Sequence, residues 1–187
     1  MNNKNITTLT LMAICVAFVA GTVASSPLAI TGVGDSILFK GGSYCVCKNS
    51  LECNVNTPGA DCNNNLITNY GKNVTREYLS LDGTYEAFDV LALSNGSAPT
   101  ANDFNFTVEM AGGLARAAAT VGNNPTTGNW SLYHLWTADG TFMNVNTTGI
   151  FNDTTAGTGP MLAGGTFTAV NLESSDTLAI NYTLWIS

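Results

Sequence analysis

The stretch 177–186 alternates two sets of side chains, one entirely apolar and the other mostly polar. Successive side chains of a strand point to opposite faces of a sheet, so this period of two is typical of a strand with one buried face. The same pattern recurs upstream and is interrupted by Gly, Asn and Asp, which predicts antiparallel sheets rather than helices. The apolar members of the last stretch are Leu178, Ile180, Tyr182, Leu184 and Ile186.

The predicted fold is all-β, an antiparallel β-sandwich that is jelly-roll-like and holds around ten short strands. Asp82-Gly83 and Asp139-Gly140 predict tight hairpins. The stretch 112–121 is ambiguous, since its Ala-rich centre favours a helix by propensity and a strand by its surroundings. The predicted strands are 43–48, 66–70, 74–81, 84–93, 104–110, 130–137, 141–145, 166–171 and 177–186.

Residues 1–24 have the layout of an export signal. A polar start with Lys4 precedes an apolar run over 8–20, and small residues lead to a predicted cleavage after Ala24. A retained membrane anchor is the rival interpretation, because the run approaches the roughly 18 to 20 residues that span a bilayer. Threonines shorten the run and favour cleavage, which would also remove Cys15. The prediction is a secreted protein, extracellular or at the cell surface, without a permanent membrane anchor.

Charge narrows the range of partners. Six Lys and Arg stand against thirteen Asp and Glu, and loss of Lys4 with the signal takes the net charge from −7 to −8. Nucleic acid is excluded as an expected partner, because phosphate binding needs clustered basic residues. Only 10% of the residues are charged, against about 25% in ordinary soluble domains. Asn, Thr and attached sugar are expected to supply the missing solubility.

Four cysteines follow the spacing C-x-C-x5-C-x8-C. An even number in an exported chain predicts disulfides, which would pin the Asn-rich loop within 45–65. Two pairings are open, Cys45 with Cys53 and Cys47 with Cys62, or Cys45 with Cys62 and Cys47 with Cys53. Zinc is the alternative, although the two C-x2-C pairs of the usual structural sites are missing.

Seven N-x-S/T sequons in the predicted mature chain suggest N-linked glycans as partners. The competing interpretation is that Asn and Thr are only the polar residues of a low-charge surface. At two of the sites we expect the sequon on an outward strand face, with the aromatic and aliphatic neighbours facing inward; these two are Asn105 and Asn181. The full set is Asn73, Asn95, Asn105, Asn129, Asn146, Asn152 and Asn181.

The sequence predicts neither a catalytic site nor a cofactor. The single histidine, His134, is expected to be a packed or surface residue. Glu77, Glu86 and Asp89 are the carboxylates that a glycosidase pair would need, but acidic residues scattered on strands are more often solvated. Calcium is a weaker candidate, through three aspartates in predicted turns, with no twelve-residue loop pattern. These are Asp82, Asp139 and Asp153.

Residues 25–40 form a predicted N-terminal strand ahead of the sandwich domain, 41–187. The stretch after Pro27 is apolar, β-type and carries two glycines. One interpretation is an ordinary first strand of the sandwich, and the other is a donor strand that completes the sheet of a neighbouring subunit. The donor residues would be Leu28, Ile30, Gly32, Ile37 and Phe39.

The whole layout resembles that of subunits of extracellular archaeal filaments, namely the threads, bundling pili and cannula tubes assembled by donor-strand complementation. The shared features are the export signal, the Gly-containing strand behind it, the low-charge sandwich rich in sequons, and the terminal strand at Ser187. The resemblance implies a head-to-tail homopolymer that does not close, with residues 28–39 inserted into the next subunit. The cysteine cluster departs from this pattern and leaves open a relative that does not polymerise.

A second hypothesis belongs to a different class. A monomeric surface carbohydrate-binding module would use Trp130, Tyr133 and Trp136 as a stacking platform. This hypothesis requires Trp130 and Trp136 to point outward, because burial of both in the core removes the platform.

Overall fold

The computed structural model describes residues 39–79, 86–124 and 128–186. This part contains one α-helix, α1 (Asn69–Leu79), and a single 3-10 turn, Gly112–Leu114. Its strands are β1 (Phe39–Lys48), β2 (Asp61–Asn64), β3 (Leu66–Ile67), β4 (Val90–Ser94), β5 (Ala117–Ala118), β6 (Thr120–Asn124), β7 (Asn129–Thr137), β8 (Phe142–Phe151), β9 (Met161–Leu172) and β10 (Thr177–Ile186).

The strands form two five-stranded antiparallel sheets. Sheet A has the order β2-β1-β10-β7-β6, and sheet B has the order β3-β9-β8-β4-β5. The predicted all-β antiparallel sandwich is confirmed. β1 lies beside β10, and β3 lies beside β9, so early and late strands of the described chain are neighbours in both sheets.

The core lies between the inner faces of the two sheets. In β10 the residues Leu178, Ile180, Tyr182 and Leu184 are all fully buried, as their alternation predicts. The ring of Tyr182 packs against Tyr44 of β1 with centroids 5.1 Å apart, and burial raises the pKa of Tyr182 far above its ordinary value. Gly165 of β9 makes room for Tyr44, since a Cβ there would lie 2.5 Å from its ring.

Both sides of the sandwich are closed by strands that change sheet. β2 pairs with β1 in sheet A, and after Asn65 the chain pairs as β3 with β9 in sheet B. On the other side β5 pairs with β4, and after Ala119 the chain pairs as β6 with β7. Such corners join two sheets through one continuous backbone. The two sheets of the sandwich are therefore linked by continuous backbone on both sides.

The predicted strand 74–81 is wrong, because α1 occupies most of it. Thr68 caps the helix, with its hydroxyl oxygen accepting a hydrogen bond from Gly71 N–H at 2.9 Å. The helix docks closely on β9, and a Cβ on Gly71 would lie 2.5 Å from the Leu162 carbonyl oxygen. Capping and docking thus outweigh the β-type composition of this stretch, and they also end the predicted strand 66–70 at Ile67.

The predicted strand 104–110 is also wrong. This segment is irregular and crosses the outer face of sheet B, where Phe106 packs on Phe151 with ring centroids 5.3 Å apart. The expected inward position of Phe104 is not found, since this side chain is 42% exposed. Downstream, the ambiguous stretch 112–121 resolves into the 3-10 turn followed by β5 and the start of β6.

The turn predictions fare unevenly. Asp139-Gly140 does form the connection after β7, but β7 belongs to sheet A and β8 to sheet B, so the predicted hairpin is wrong. Asp82-Gly83 lies outside the described residues. β8 and β9 are both longer than predicted. Of the predicted strand 84–93, residues 84–85 lie outside the described residues, residues 86–89 are not in a strand, and β4 begins at Val90.

Candidate functional site

Two disulfides anchor the loop that follows β1. Cys45 and Cys47 lie on the outer face of β1, and Cys45 is bonded to Cys62, its direct neighbour on β2. Cys47 is bonded to Cys53 across a separation of six residues. The structure thus decides between the two open pairings. The zinc alternative is wrong, because all four cysteines are used in these two disulfides and none is left as a thiolate ligand.

The disulfide loop, residues 49–60, covers the outer face of sheet A. Cys47 and Cys53 are buried there together with Ala179 of β10. The amide of Asn181 donates to the carbonyl oxygen of Cys53 at 2.8 Å, and the Tyr133 hydroxyl donates to that of Leu51 at 2.6 Å. Burial raises the pKa of Tyr133. The outer face of β10, predicted to be wet, is therefore largely covered.

The tip of the disulfide loop carries exposed apolar side chains. Leu51 is 76% exposed and Val55 is 78% exposed, the highest values among the large apolar residues of the described chain. Side-chain contacts hold the loop in shape, including the Thr57 hydroxyl on the carbonyl oxygen of Glu52 at 3.2 Å. A rigid loop that presents apolar side chains to solvent is suited to contact with another macromolecule.

The sequons differ in accessibility. Asn73 on α1 and Asn95 after β4 are exposed. The Asn181 side chain lies under the disulfide loop, where its amide oxygen is fully buried. Asn105 is engaged on both sides, because its oxygen accepts from Arg116 and its nitrogen donates to Thr158 O at 3.2 Å. Asn181 lies on the outward face of β10, as predicted, but the disulfide loop covers it. The predicted strand position of Asn105 is wrong, because its segment is irregular. The half-buried remainder is Asn129, Asn146 and Asn152.

Arg116 ties three segments together on the outer side of sheet B. Its guanidinium forms a bidentate ion pair with Glu109, with nitrogen–oxygen distances of 2.6 and 2.7 Å. It also donates to the carbonyl oxygens of Asp153 and Thr158 and lies 3.7 Å from the centroid of the Phe151 ring. The side chains of Arg116 and Glu109 are 1% and 8% exposed, so this charged group is a structural clasp.

The predicted aromatic platform is not formed. Trp136 is 2% exposed in the core, where its indole N–H donates to Ala115 O at 2.8 Å. Trp130 is half-buried against the same core, whereas Tyr133 lies on the opposite face of β7, under the disulfide loop. The exposed aromatic side chains of the described residues, Tyr70 and Phe104, belong to segments predicted as strands, so the sequence pattern gave no sign of them.

His134 is a packed residue, as expected. Its Nδ1 lies 2.9 Å from the Ala118 carbonyl oxygen and therefore donates to it, and its ring stands edge-on to Trp136 at 4.5 Å. Burial lowers its pKa. Of the candidate carboxylates, Glu77 lies on α1 and forms an ion pair with its neighbour Arg76, while Asp89 immediately precedes β4.

The two candidate calcium ligands that the structure describes lie on different turns. Asp139 follows β7, Asp153 lies in the loop between β8 and β9, and Asp82 lies outside the described residues. The Asp153 carboxylate accepts from Thr155 N–H and the Thr158 hydroxyl, and the first of these bonds is the main cause of its lowered pKa. Among the described residues no three His, Cys, Asp or Glu side chains are placed to share a metal ion.

The edge of β9 beyond β3 is occupied by side chains from sheet A. A free strand edge is a template for pairing with another chain, and polar side chains directed at it block that pairing. Thr168 N–H lowers the pKa of the Asp61 carboxylate that accepts from it. The contacts are Tyr44 hydroxyl to Thr166 O, Thr168 N to Asp61 Oδ2 at 2.6 Å, and Lys48 Nζ to Asn171 O at 2.7 Å.

The outer edge of β6 differs from that of β9. β6 pairs with β7, and within the described parts of the chain no strand pairs with its other side. Val121 of β6 is 46% exposed. With five residues, β6 is the longest of the four outermost strands in the two described sheets.

The predicted donor residues fall into two groups. Leu28, Ile30, Gly32 and Ile37 lie outside the described residues. Phe39 begins β1 and pairs with Ile186 of the same chain, so it belongs to the sandwich and is not free to donate. The donor prediction is thereby confined to residues before Phe39.

No family model, curated protein or solved structure matches the chain. None of the helices in the described residues has the length and apolar character needed to span a membrane.

Proposed function

We propose that the chain is a secreted structural protein, the subunit of an extracellular filament or surface layer assembled by β-strand complementation. One observation carries the proposal: the sandwich closes on itself from Phe39 onward. β1 already lies between β2 and β10, and corner strands join the sheets on both sides. The apolar stretch 26–38 thus has no vacant central position in these sheets, which supports pairing with another subunit.

The acceptor in this proposal is the outer edge of β6. An added strand gains its affinity from main-chain hydrogen bonds along an open edge. β6 offers such an edge, with Val121 exposed, whereas side chains occupy the corresponding edge of β9. Because donor and acceptor are different surfaces of the subunit, the contact is head-to-tail and produces an open polymer.

The proposal assigns the protein neither catalysis nor a cofactor. The alternative function, a carbohydrate-binding module, requires an aromatic platform of Trp130, Tyr133 and Trp136. Trp136 is in the core and Tyr133 is on the other face of β7. Without that platform, no observation favours this alternative over assembly.

Microscopy of the secreted chain from residue 25 tests the proposal. We expect filaments or sheets by negative staining and their loss when residues 26–38 are deleted. Val121→Lys should also abolish them, because a lysine on an edge strand opposes pairing. The matched control is Met143→Lys, which charges a 51% exposed position on β8, a strand with partners on both sides. Polymers that survive the deletion would contradict the donor role.

A further inference from the structure

Two aromatic side chains stand half out of the surface on one side of the molecule. Tyr70 is 43% exposed and Phe104 is 42% exposed, and their rings meet edge to face with centroids 5.1 Å apart. The start of α1 is fixed to the segment that carries Phe104, since Asn69 N–H donates to Ala101 O at 2.7 Å and its side-chain amide donates to Asn102 Oδ1 at 2.9 Å. The pair is therefore a preformed apolar surface.

An exposed sequon lies beside this aromatic pair. Asn73 follows Tyr70 by three residues on α1, so the two side chains are neighbours on the helix surface. Helical side chains lean toward the N-terminus, which directs Asn73 toward Tyr70. Gly71 lies on the side of the helix that is buried against β9. Asn73 lies on another side and is exposed to solvent.

We propose that Asn73 carries an N-linked glycan whose first sugar packs on the Tyr70–Phe104 pair. A pyranose ring has an apolar C–H face, and an aromatic ring is the side chain best suited to cover it. The Tyr70 hydroxyl and the neighbouring Asn69 and Asn102 amides offer hydrogen-bond partners for the sugar's polar groups. This inference rests on the export that the proposed function includes and on the glycosylation that the sequon predicts.

A thermal double-mutant cycle on protein secreted by an N-glycosylating host tests the inference. We expect Asn73→Gln to lower Tm by about 2 to 4 °C, the shift typical of one modest interaction in a chain of this size. With Tyr70→Ser and Phe104→Ser already present, the same change should leave Tm unaltered. Trimming with an endoglycosidase that leaves a single N-acetylglucosamine should preserve the effect. Tyr70→Ser alone provides the cycle if the double aromatic variant does not fold.

The control is Asn95→Gln, which removes the other exposed sequon. Its effect on Tm should be the same with and without the aromatic pair. Mass spectrometry that finds Asn73 unmodified in the folded, secreted protein overturns the inference, as does an effect of Asn73→Gln that is independent of the aromatic pair. Loss of self-association in the aromatic variants, whether or not Asn73 is modified, would instead identify the pair as a contact with a second copy and would also overturn it.

The two proposals fail separately. The 26–38 deletion retains Asn73, Tyr70 and Phe104, so the cycle can be measured on it without filaments. Absent filaments together with a coupled Tm effect contradict only the assembly function. Deletion-sensitive filaments together with an unmodified Asn73 contradict only the glycan contact.

Discussion

At the scale of single residues, the clasp of Arg116 and Glu109 is the most deeply buried ion pair in the described residues. A buried charge is tolerated only when it is paired and its remaining donors are satisfied. Arg116 meets both conditions, through Glu109 and through the carbonyl oxygens of Asp153 and Thr158. The clasp thereby fixes the irregular segment 104–110 and the loop between β8 and β9 to sheet B.

Replacing one partner of the clasp should be strongly destabilising. We expect Arg116→Met to lower the free energy of unfolding by about 3 to 5 kcal/mol, because Glu109 is left buried without a counter-charge. The control is Arg76→Met, at a pair in which Arg76 is 70% exposed, where a change within about 0.5 kcal/mol is expected. Urea unfolding measures both, and equal losses in the two variants would contradict a special role for the clasp.

Asp176 makes stability depend on pH in the acid range. Hydrogen bonds from Lys48 first, then from Glu173 N–H and Asn49, lower its pKa from 3.8 to about 2 in the folded protein. The folded state therefore binds fewer protons than the unfolded chain between these values. The stabilisation is present above pH 3.8 and is lost as the pH falls through about 2.

Substitution of Asp176 should flatten that acid dependence. We expect Asp176→Asn to show a smaller decline in unfolding free energy between about pH 4 and pH 2 than the parent chain. Lys48→Met, which removes the largest cause of the shift, should give an intermediate slope. An unchanged slope in Asp176→Asn would show that other carboxylates dominate, with Asp61 as the next candidate because its pKa is also lowered.

At the scale of elements, α1 is the only α-helix among the described residues. Its position depends on Thr68 as a cap and on Gly71 as the point of closest approach to β9. The cap at Thr68 and the close contact at Gly71 therefore lie within one turn of the helix. Helix propensity favours alanine at position 71, whereas packing against Leu162 favours glycine.

Gly71→Ala separates these demands. Alanine gains about 0.5 to 1 kcal/mol over glycine in a helix, but its Cβ would lie 2.5 Å from Leu162 O, and overpacking typically costs about 1 to 3 kcal/mol. We therefore expect net destabilisation of about 1 to 2 kcal/mol by urea unfolding. Gly140→Ala is the control, since no atom lies within 4 Å of its added Cβ. A stabilised Gly71→Ala would mean that α1 shifts readily along β9.

At the scale of the whole molecule, closure decides what the N-terminal segment can do. Corner strands on both sides leave β1 and β10 in interior positions of sheet A. In the described residues, the outermost strands of both sheets are short, and side chains occupy the free edge of β9. Assembly then requires a segment supplied from outside the closed sandwich.

Deleting residues 26–38 should leave the folded domain intact. We expect Tm within about 2 °C of the chain that begins at residue 25, because a lost interaction of 1 kcal/mol would already shift Tm by about 2 to 4 °C. Differential scanning calorimetry at concentrations below assembly measures this. A fall of many degrees would show that the segment pairs inside its own sandwich, as an ordinary first strand.

The particular errors of sequence reasoning share a cause. Thr177 to Ile186 was predicted correctly over its whole length because its alternation is long and its inner face is entirely apolar. Phe104 and Phe106 alternate too, yet the segment that carries them is anchored by the remote Arg116 and crosses the sheet. Alternation with a period of two shows which side chains share one face of an extended segment. It does not show which part of the protein that face packs against.

The sequence by itself determined the fold class, the disulfide-pinned loop and the positions of the sequons, because alternation, cysteine spacing and N-x-S/T motifs are local patterns. Tertiary structure alone decided the cysteine pairing, the helix at Asn69–Leu79, the covering of Asn181, and the burial of Trp136. Each of these depends on segments far apart in the chain that compete for the same surface. The energies of that competition are set by contacts that no single stretch of sequence contains.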